Sequence, residues 1–167
     1  GALTSTAAFD LQSGTVNAVL AGTAGANKTT AGAVTLNGQN TYTGATTVSA
    51  GTLNLGHATN TLADTSTVVV SGGVLAIGGN SDTVGGVQLS GGSITGSGGT
   101  LTSTTAYDLQ AGSVSAILGG TVGLNKTTAG TVTLSGANAY TGATTIAAGA
   151  LALGANNALS DSTAVTV

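Results

Sequence analysis

The sequence predicts an all-β protein, a β-solenoid of about eight coils with ~18–22 residues in each coil. Three observations favour this fold class. The chain repeats itself at an interval of 98 residues, a shorter apolar pattern returns about every 20 residues, and apolar and polar residues alternate within short segments. The composition agrees, because 29 Gly and 32 Thr among 167 residues suit turns and half-buried strands.

The long repeat is visible by direct comparison. Residues 3–57 recur at an offset of 98, and roughly two-thirds of the positions are identical. Farther on, residues 62–64 match residues 159–161 at an offset of 97, which indicates a loop, where a change of length costs little. We therefore expect residues 1–167 to form a single solenoid segment, a slice of a longer chain. It consists of a full repeat (3–100) and a partial repeat (101–167).

The shorter pattern is Gly-x-(Val/Leu/Ile), followed two residues later by a second apolar residue or Thr. Its central apolar residues are Val16, Val34, Leu53, Leu75, Ile94, Val114, Val132 and Leu151. Five successive spacings span one 98-residue repeat, so each spacing corresponds to one coil. Coils stacked at the ~4.8 Å distance between strands would rise ~40 Å in total.

Within each coil, alternation predicts half-buried strands, for example at residues 34–36 and 53–55. Gly pairs such as 72–73 and 85–86 indicate corners between strands. A β-propeller is the main alternative, but its blades run about 40–45 residues and carry aromatic signatures. This chain has only three Tyr and one Phe, which favours the solenoid.

The charged residues are too few for several classes of function. Five Asp, two Lys, one His and no Cys give a formal net charge of −3. Nucleic-acid binding requires clustered cations, disulfides and Cys-based zinc sites require Cys, and acid–base catalysis requires titratable groups held together. We therefore expect no catalytic residue, no cofactor, no metal and no nucleic-acid partner. Polar residues and Gly interrupt every apolar stretch, so no membrane-spanning segment is expected either.

The isolated titratable residues are interpreted as structural. His57 is replaced by Ala155 in the second repeat and is expected in a loop. Asp10 and Asp108 occupy matching positions, but five coils would separate them by ~24 Å, so they are expected in turns that Asp side chains stabilise. The other matched pair expected in turns is Asp64 and Asp161.

Residues 78–82 are similar to the start of a calcium-binding nonapeptide, Gly-Gly-x-Gly-x-Asp. However, Asp82 falls one position early and the motif occurs once. A Gly-rich corner between Ile77 and Val84 is therefore the favoured interpretation.

The aromatic residues recur in matched positions, Tyr42 with Tyr140 and Phe9 with Tyr107. Each ring is expected to cap a corner of the core, with the phenol reaching solvent or a backbone carbonyl. A carbohydrate-stacking platform is the functional alternative for these rings.

Four pairs of adjacent Thr residues suggest a different function, because regular outward Thr rows on a flat face can order water, as in ice-binding solenoids. An ice-binding face needs Thr-x-Thr on nearly every coil, and the coils near Leu75 and Ile94 lack it. Cross-strand pairing for stability is therefore favoured. The pairs lie at residues 29–30, 46–47, 127–128 and 144–145.

Residues 28–53 resemble the autotransporter-associated β-strand repeat, or passenger-associated transport repeat. That pattern is roughly G-x-[VL]-x-L-[ST]-G-x-N-x-Y-x-G-x-T-x-[VI]-x-x-G-x-L, with Asn40, Tyr42 and Gly44 at its fixed offsets, and residues 130–151 match it again. The resemblance implies a right-handed parallel β-helix in the secreted passenger of a bacterial autotransporter or adhesin. It carries over no catalytic residue.

Together these observations predict a structural, non-enzymatic stalk or fibre segment of a secreted bacterial surface protein, outside the cell or on its surface. The expected partners are neighbouring coils or subunits stacked end to end, and a host surface, an abiotic surface or a glycan. Two alternatives stay open: a homopolymeric extracellular filament, and a solenoid that binds ice or glycan.

Overall fold

The computed structural model describes residues 1–167 and contains twenty β-strands, numbered in chain order, and no helix. The paired strands run parallel, and they stack in three columns along the axis of a solenoid. The first column contains β2 (Phe9–Asp10), β5 (Ala26–Lys28), β7 (Thr46–Val48), β9 (Thr67–Gly78), β11 (Gly86–Gly96), β13 (Tyr107–Leu109), β16 (Leu124–Lys126), β18 (Thr144–Ile146) and β20 (Val165–Thr166).

The other two columns complete each coil. The second column contains β3 (Gly14–Val16), β6 (Ala33–Leu36), β8 (Thr52–Leu55), the second halves of β9 and β11, then β14 (Gly112–Val114), β17 (Thr131–Leu134) and β19 (Ala150–Leu153). The third column is shorter and contains β1 (Ala2–Thr4), β4 (Val19–Ala21), β10 (Asp82–Val84), β12 (Thr100–Ser103) and β15 (Ile117–Gly119).

The predicted fold class, an all-β parallel solenoid, is confirmed, and the number of coils is close to the prediction. The eight apolar residues used to count coils all lie in the second column, which has eight strands. The first column has nine strands, because Val165–Thr166 follows the last counted residue, Leu151, and adds a strand that has no counterpart in the second column. The solenoid therefore has about nine turns rather than eight.

The core is a set of apolar rows that run along the axis. In the second column, Val34 pairs with Leu53, Leu53 with Leu75, and Leu75 with Ile94, and all four side chains are buried. Each contributes about 1.5–3 kcal/mol through burial, but only while the coils above and below are in place. Stability in this molecule therefore depends on contacts between coils.

The corners bring the backbones of successive coils very close together. At Gly51, φ is +62°, and a Cβ atom there would lie 2.3 Å from the carbonyl oxygens of both Thr30 and Gly32 on the coil below. Gly is needed here for its left-handed conformation and also for its lack of a side chain. The structure contains no helix of the length and hydropathy that crossing a membrane requires.

Candidate functional site

The interior of the solenoid holds ten buried polar side chains among the apolar rows. Sequence reasoning did not place these residues inside, although strand alternation offers a signal, since Ala26 and Lys28 share one face of β5. The ten are Lys28, Asn40, Thr46, Thr61, Ser66, Asp82, Ser103, Lys126, Asn138 and Thr144.

The two lysines, the only cations among the side chains of the sequence, point inward and are fully buried. The ammonium group of Lys126 donates to the carbonyl oxygen of Thr128, to its hydroxyl (3.3 Å), and to the carbonyl oxygen of Ala148 on the next coil (3.2 Å). The Thr128 hydroxyl in turn donates to the carbonyl oxygen of Gln110 on the preceding coil (2.8 Å). Lys126 and Thr128 therefore join three successive coils.

Lys28 repeats this arrangement in the first half of the chain. Its ammonium group donates to the carbonyl oxygen of Thr30 and to the Thr30 hydroxyl (3.1 Å), which donates to the carbonyl oxygen of Gln12 (2.8 Å). These two partners are a carbonyl and a hydroxyl oxygen of the same residue, and unlike Lys126 the side chain makes no bond to the next coil. The lysines are engaged in the fold and do not form a basic surface.

Two asparagines bridge coils in a second way. The side-chain oxygen of Asn138 accepts the Leu118 N–H of the coil below (2.8 Å), and its amide donates to the carbonyl oxygen of Ala158 on the coil above (2.6 Å). Asn40 accepts the Leu20 N–H (2.8 Å) in the same way. A primary amide suits this position because it can accept from one coil and donate to the next.

The expected Gly-rich corner is confirmed at Gly78 and Gly79. Asp82 does not belong to this corner, because it lies in β10 and is only 4% exposed. Its Oδ2 accepts the Leu62 N–H (3.0 Å), whereas its Oδ1 is buried without a hydrogen-bond partner. Burial raises the pKa of Asp82 to about 6, although backbone groups of Leu62, Thr83 and Thr61 act in the opposite direction.

Tyr107 is the most extensively bonded side chain in the core. Its hydroxyl lies 2.7 Å from the carbonyl oxygens of both Leu101 and Gly119, and it accepts N–H bonds from Ser103 (3.1 Å) and Gly119 (3.2 Å). Burial raises the pKa of this phenol above its ordinary value, which keeps the hydroxyl neutral as a donor.

Tyr42 and Tyr140 lie between strands, as expected for corner positions, but the expectation that their phenols reach solvent or a backbone carbonyl is wrong. Both are fully buried and their hydroxyls bond Thr46 (2.6 Å) and Thr144 (2.8 Å). The burial of Tyr42 raises its pKa to about 12. Since no Tyr ring is exposed, these residues cannot form the carbohydrate-stacking platform that the sequence left open. The rings instead pair between coils, with centroid distances of 6.1 Å for Phe9–Tyr42 and 5.9 Å for Tyr107–Tyr140.

The turn interpretation is wrong for Asp10 and Asp108, which lie in strands β2 and β13. Their carboxylates face outward and accept from amide side chains. Asp108 Oδ2 accepts from Gln88 and Gln110, both at 2.8 Å, so a single carboxylate links two neighbouring coils. In this chain, an Asp followed by Gln two residues later therefore indicates the outer face of a strand and not a turn.

The other titratable residues lie where the sequence placed them. Asp64 and Asp161 are in turns, which are closed by the hydrogen bonds of Ser66 N–H to Ala63 (2.8 Å) and of Thr163 N–H to Ser160 (3.0 Å). His57 is in a loop, with Nδ1 2.6 Å from the Thr59 carbonyl oxygen. No three of the His and Asp side chains converge in a way that could hold a metal ion.

The Thr pairs do not form an outward ladder. In strands β7 and β18 the first Thr of each pair, Thr46 or Thr144, is buried, and only the second faces outward. On this outer face, the residues that pair with Thr47 on the neighbouring coils are Asn27 and Val69, and neither is a Thr. The arrangement required for an ice-binding face is therefore missing at these pairs.

One open pocket, with a volume of about 300 Å³, lies where the loop before β9 overhangs the preceding coil. Asp64 is its only titratable residue, so it offers no pair of groups for acid–base or nucleophilic chemistry. The lining residues are Gln39, Asn40, Thr41, Asn60, Leu62, Ala63 and Asp64.

Comparison with known proteins identifies the repeats. The family model described as Passenger-associated-transport-repeat matches residues 27–55 and 124–153. Each match contains one buried Lys, one bridging Asn and one buried Tyr, so the coil-joining residues lie within the matched repeats. No curated protein and no solved structure gives a significant match. The chain is therefore a parallel β-solenoid in which two segments match the passenger-associated-transport-repeat model.

Proposed function

We propose that this chain is a structural, non-enzymatic stalk segment in the secreted passenger of a bacterial surface protein. The observation that carries the proposal is the position of its two passenger-associated-transport repeats inside one uninterrupted parallel stack. The asparagines of both repeats and Lys126 bond to neighbouring coils and are buried, so they serve cohesion rather than ligand recognition.

The same architecture suits export as an unfolded chain followed by folding outside the cell. Each coil buries its apolar row on the coil already formed, so folding can advance coil by coil without distant segments of the chain. Lys126 and Asn138 then fasten each new coil through hydrogen bonds to the coils beside it. Progressive folding of this kind can favour outward movement of the chain.

An export assay tests the proposal. The chain is placed between a secretion signal and a translocator barrel in a Gram-negative host, and its surface display is measured with antibody and added protease on intact cells. We expect a protease-resistant passenger on the surface. Gly149→Ala, which would set a Cβ atom 2.3 Å from two carbonyl oxygens of the coil below, should lower the resistant fraction, and Gly78→Ala, at an open corner, should not. Failure of the wild-type chain to reach the surface would contradict the proposal, and so would equal resistance of the two variants.

The partners proposed for the two ends are further solenoid coils. Leu3, which is 56% exposed, matches Leu101, which is fully buried between coils, so the first coil has an apolar edge that another coil would cover. At the other end, Leu153 and Val165 are 53% and 51% exposed. A covering coil would bury these side chains as the internal coils bury theirs.

A second copy of the chain fits these ends poorly. The last strand of the first column, β20, lies one coil above the last strand of the second column, β19. If β2 of a second copy paired with β20, the β3 strand that follows it would therefore lie two coil heights above β19. One strand position above β19 would stay empty. We therefore expect residues 1–167 to remain monomeric in sedimentation velocity as concentration rises, and concentration-dependent filaments would favour the homopolymer instead.

A further inference from the structure

We propose that Asp82 is a proton-dependent latch between two neighbouring coils, which holds the loop around Leu62 firmly when the carboxyl is neutral and loosens it when the carboxyl is ionised. The position of Asp82 in the fold, the hydrogen bonds of the two asparagines that resemble it, and its unpartnered oxygen lead to this proposal.

Asp82 has the same relation to the coil below as the two bridging asparagines. Its Oδ2 accepts the N–H of Leu62, twenty residues earlier, as Asn40 accepts from Leu20 and Asn138 from Leu118. All three side chains are almost fully buried. Asp82 is therefore a carboxyl group at a position where both repeats elsewhere use a primary amide.

The difference lies in the second polar atom of the side chain. In Asn138 this atom is an amide nitrogen that donates to the carbonyl oxygen of Ala158. In Asp82 it is Oδ1, which is buried and has no partner. An ionised carboxylate can only accept, whereas a protonated carboxyl has an O–H that can donate and carries no charge to desolvate. The neutral form therefore avoids the cost of burying a charge at an oxygen without a partner.

The groups around Asp82 do not compensate its charge. Asp64, which lies on the same loop as Leu62, adds a repelling carboxylate, and the neutral phenol of Tyr42 is the other titratable group that senses Asp82. The strand above, β12, contains only Thr, Leu and Ser. Neither lysine bonds to this carboxyl, because both ammonium groups are occupied at the corners after β5 and β16. Backbone groups of Leu62, Thr83 and Thr61 favour the ionised form, but burial is the largest influence and favours the neutral form.

The direction of the effect follows from proton linkage. Burial raises the pKa of Asp82 from 3.8 to about 6, so between these pH values the folded protein binds more protons than the unfolded chain. Stability is then highest below about pH 4, falls as pH rises toward 6, and levels off above that value. The coil junction at Leu62 should open more readily at neutral pH than in mild acid.

The decisive experiment compares the pH dependence of unfolding in the wild type and in Asp82→Asn between pH 4 and pH 7.5. Relative to the variant, the wild-type unfolding constant should increase about a hundredfold over this range, which corresponds to about 3 kcal/mol. The protection factor of the Leu62 amide, which removes the intrinsic base-catalysed rise of exchange with pH, should fall with pH in the wild type and stay constant in the variant. Parallel pH profiles of the two proteins would overturn the proposal.

Two further variants separate the latch from general acid effects. Asp64→Asn, on the exposed part of the loop, should keep most of the wild-type pH dependence. Asn138→Asp places a carboxyl at the matching position of the second repeat and should add a second fall in stability over the same pH range. If Asn138→Asp adds no pH dependence, or if Asp64→Asn abolishes it, the latch is not at Asp82. These two variants keep the proposal testable even if Asp82→Asn folds poorly.

Discussion

Gly51→Ala is expected to destabilise the solenoid by about 3–5 kcal/mol, because a strained backbone conformation of about 1–2 kcal/mol adds to overpacking of up to about 3 kcal/mol. The φ angle of +62° disfavours any side chain, and the new Cβ would lie 2.3 Å from the Thr30 and Gly32 carbonyl oxygens. Both contacts are with backbone, so relief requires the two coils to separate. Since each coil is stabilised by its neighbours, this separation should spread along the stack.

Gly78 provides a matched control for this prediction. Its φ of +58° is nearly the same, but no atom lies within 4 Å of the position that a Cβ would take. Gly78→Ala should therefore cost only the conformational strain of about 1–2 kcal/mol. Denaturant unfolding of the two variants, followed by circular dichroism, measures the difference. Equal destabilisation would show that the contact between coils at Gly51 is unimportant.

Tyr107→Phe is expected to cost about 2–4 kcal/mol, although it removes a single oxygen atom. The hydroxyl serves the Leu101 carbonyl and the N–H groups of Ser103 and Gly119, all in a fully buried site. In the variant, these backbone groups lose the hydrogen bonds that the hydroxyl makes. Each buried group left unpaired lowers the free energy of unfolding by about 1–3 kcal/mol before the structure relaxes. The ring itself stays, so stacking on Tyr140 is preserved.

Tyr140→Phe is the control, because that hydroxyl makes one hydrogen bond, to the side chain of Thr144 (2.8 Å). Its loss should cost about 1 kcal/mol, near the usual net value for one bond. The free energies of unfolding of both variants are compared at neutral pH, where burial keeps both phenols un-ionised. A Tyr107→Phe effect no larger than that of Tyr140→Phe would contradict the central role of the Tyr107 hydroxyl.

The axial repeat of the fold could be predicted from sequence because one apolar residue per coil recurs in a fixed setting. The residues from Val16 to Leu151 that mark the short repeat occupy successive strands of the second column. At five of the seven junctions these residues stack directly on one another. At the two junctions with the shortest spacing, Val16 pairs with Leu36 and Val114 with Leu134, two residues beyond the expected partner. The first column could not be counted in this way, because its strands carry polar or mixed inward residues such as Lys28 and Thr46.

The buried polar residues could not be located from sequence for a related reason. A lysine in a strand ordinarily faces solvent, whereas Lys126 is buried and bonds to Thr128 and, on the next coil, to Ala148. The acceptor at Ala148 lies 22 residues away in the chain, and the local pattern does not show it. Asp108 was misplaced similarly, because the amide of Gln88 that holds it in a strand comes from another coil.

The burial of both lysines also determines which reagents and enzymes can act on the outside of this molecule. The chain has no Arg and no Cys, and its two side-chain amines are fully buried and hydrogen-bonded. Apart from the terminal amine, the folded surface presents hydroxyls, amides, carboxylates and one imidazole. Amine-directed crosslinkers and proteases that cleave after basic residues therefore find no side chain to attack until coils come apart.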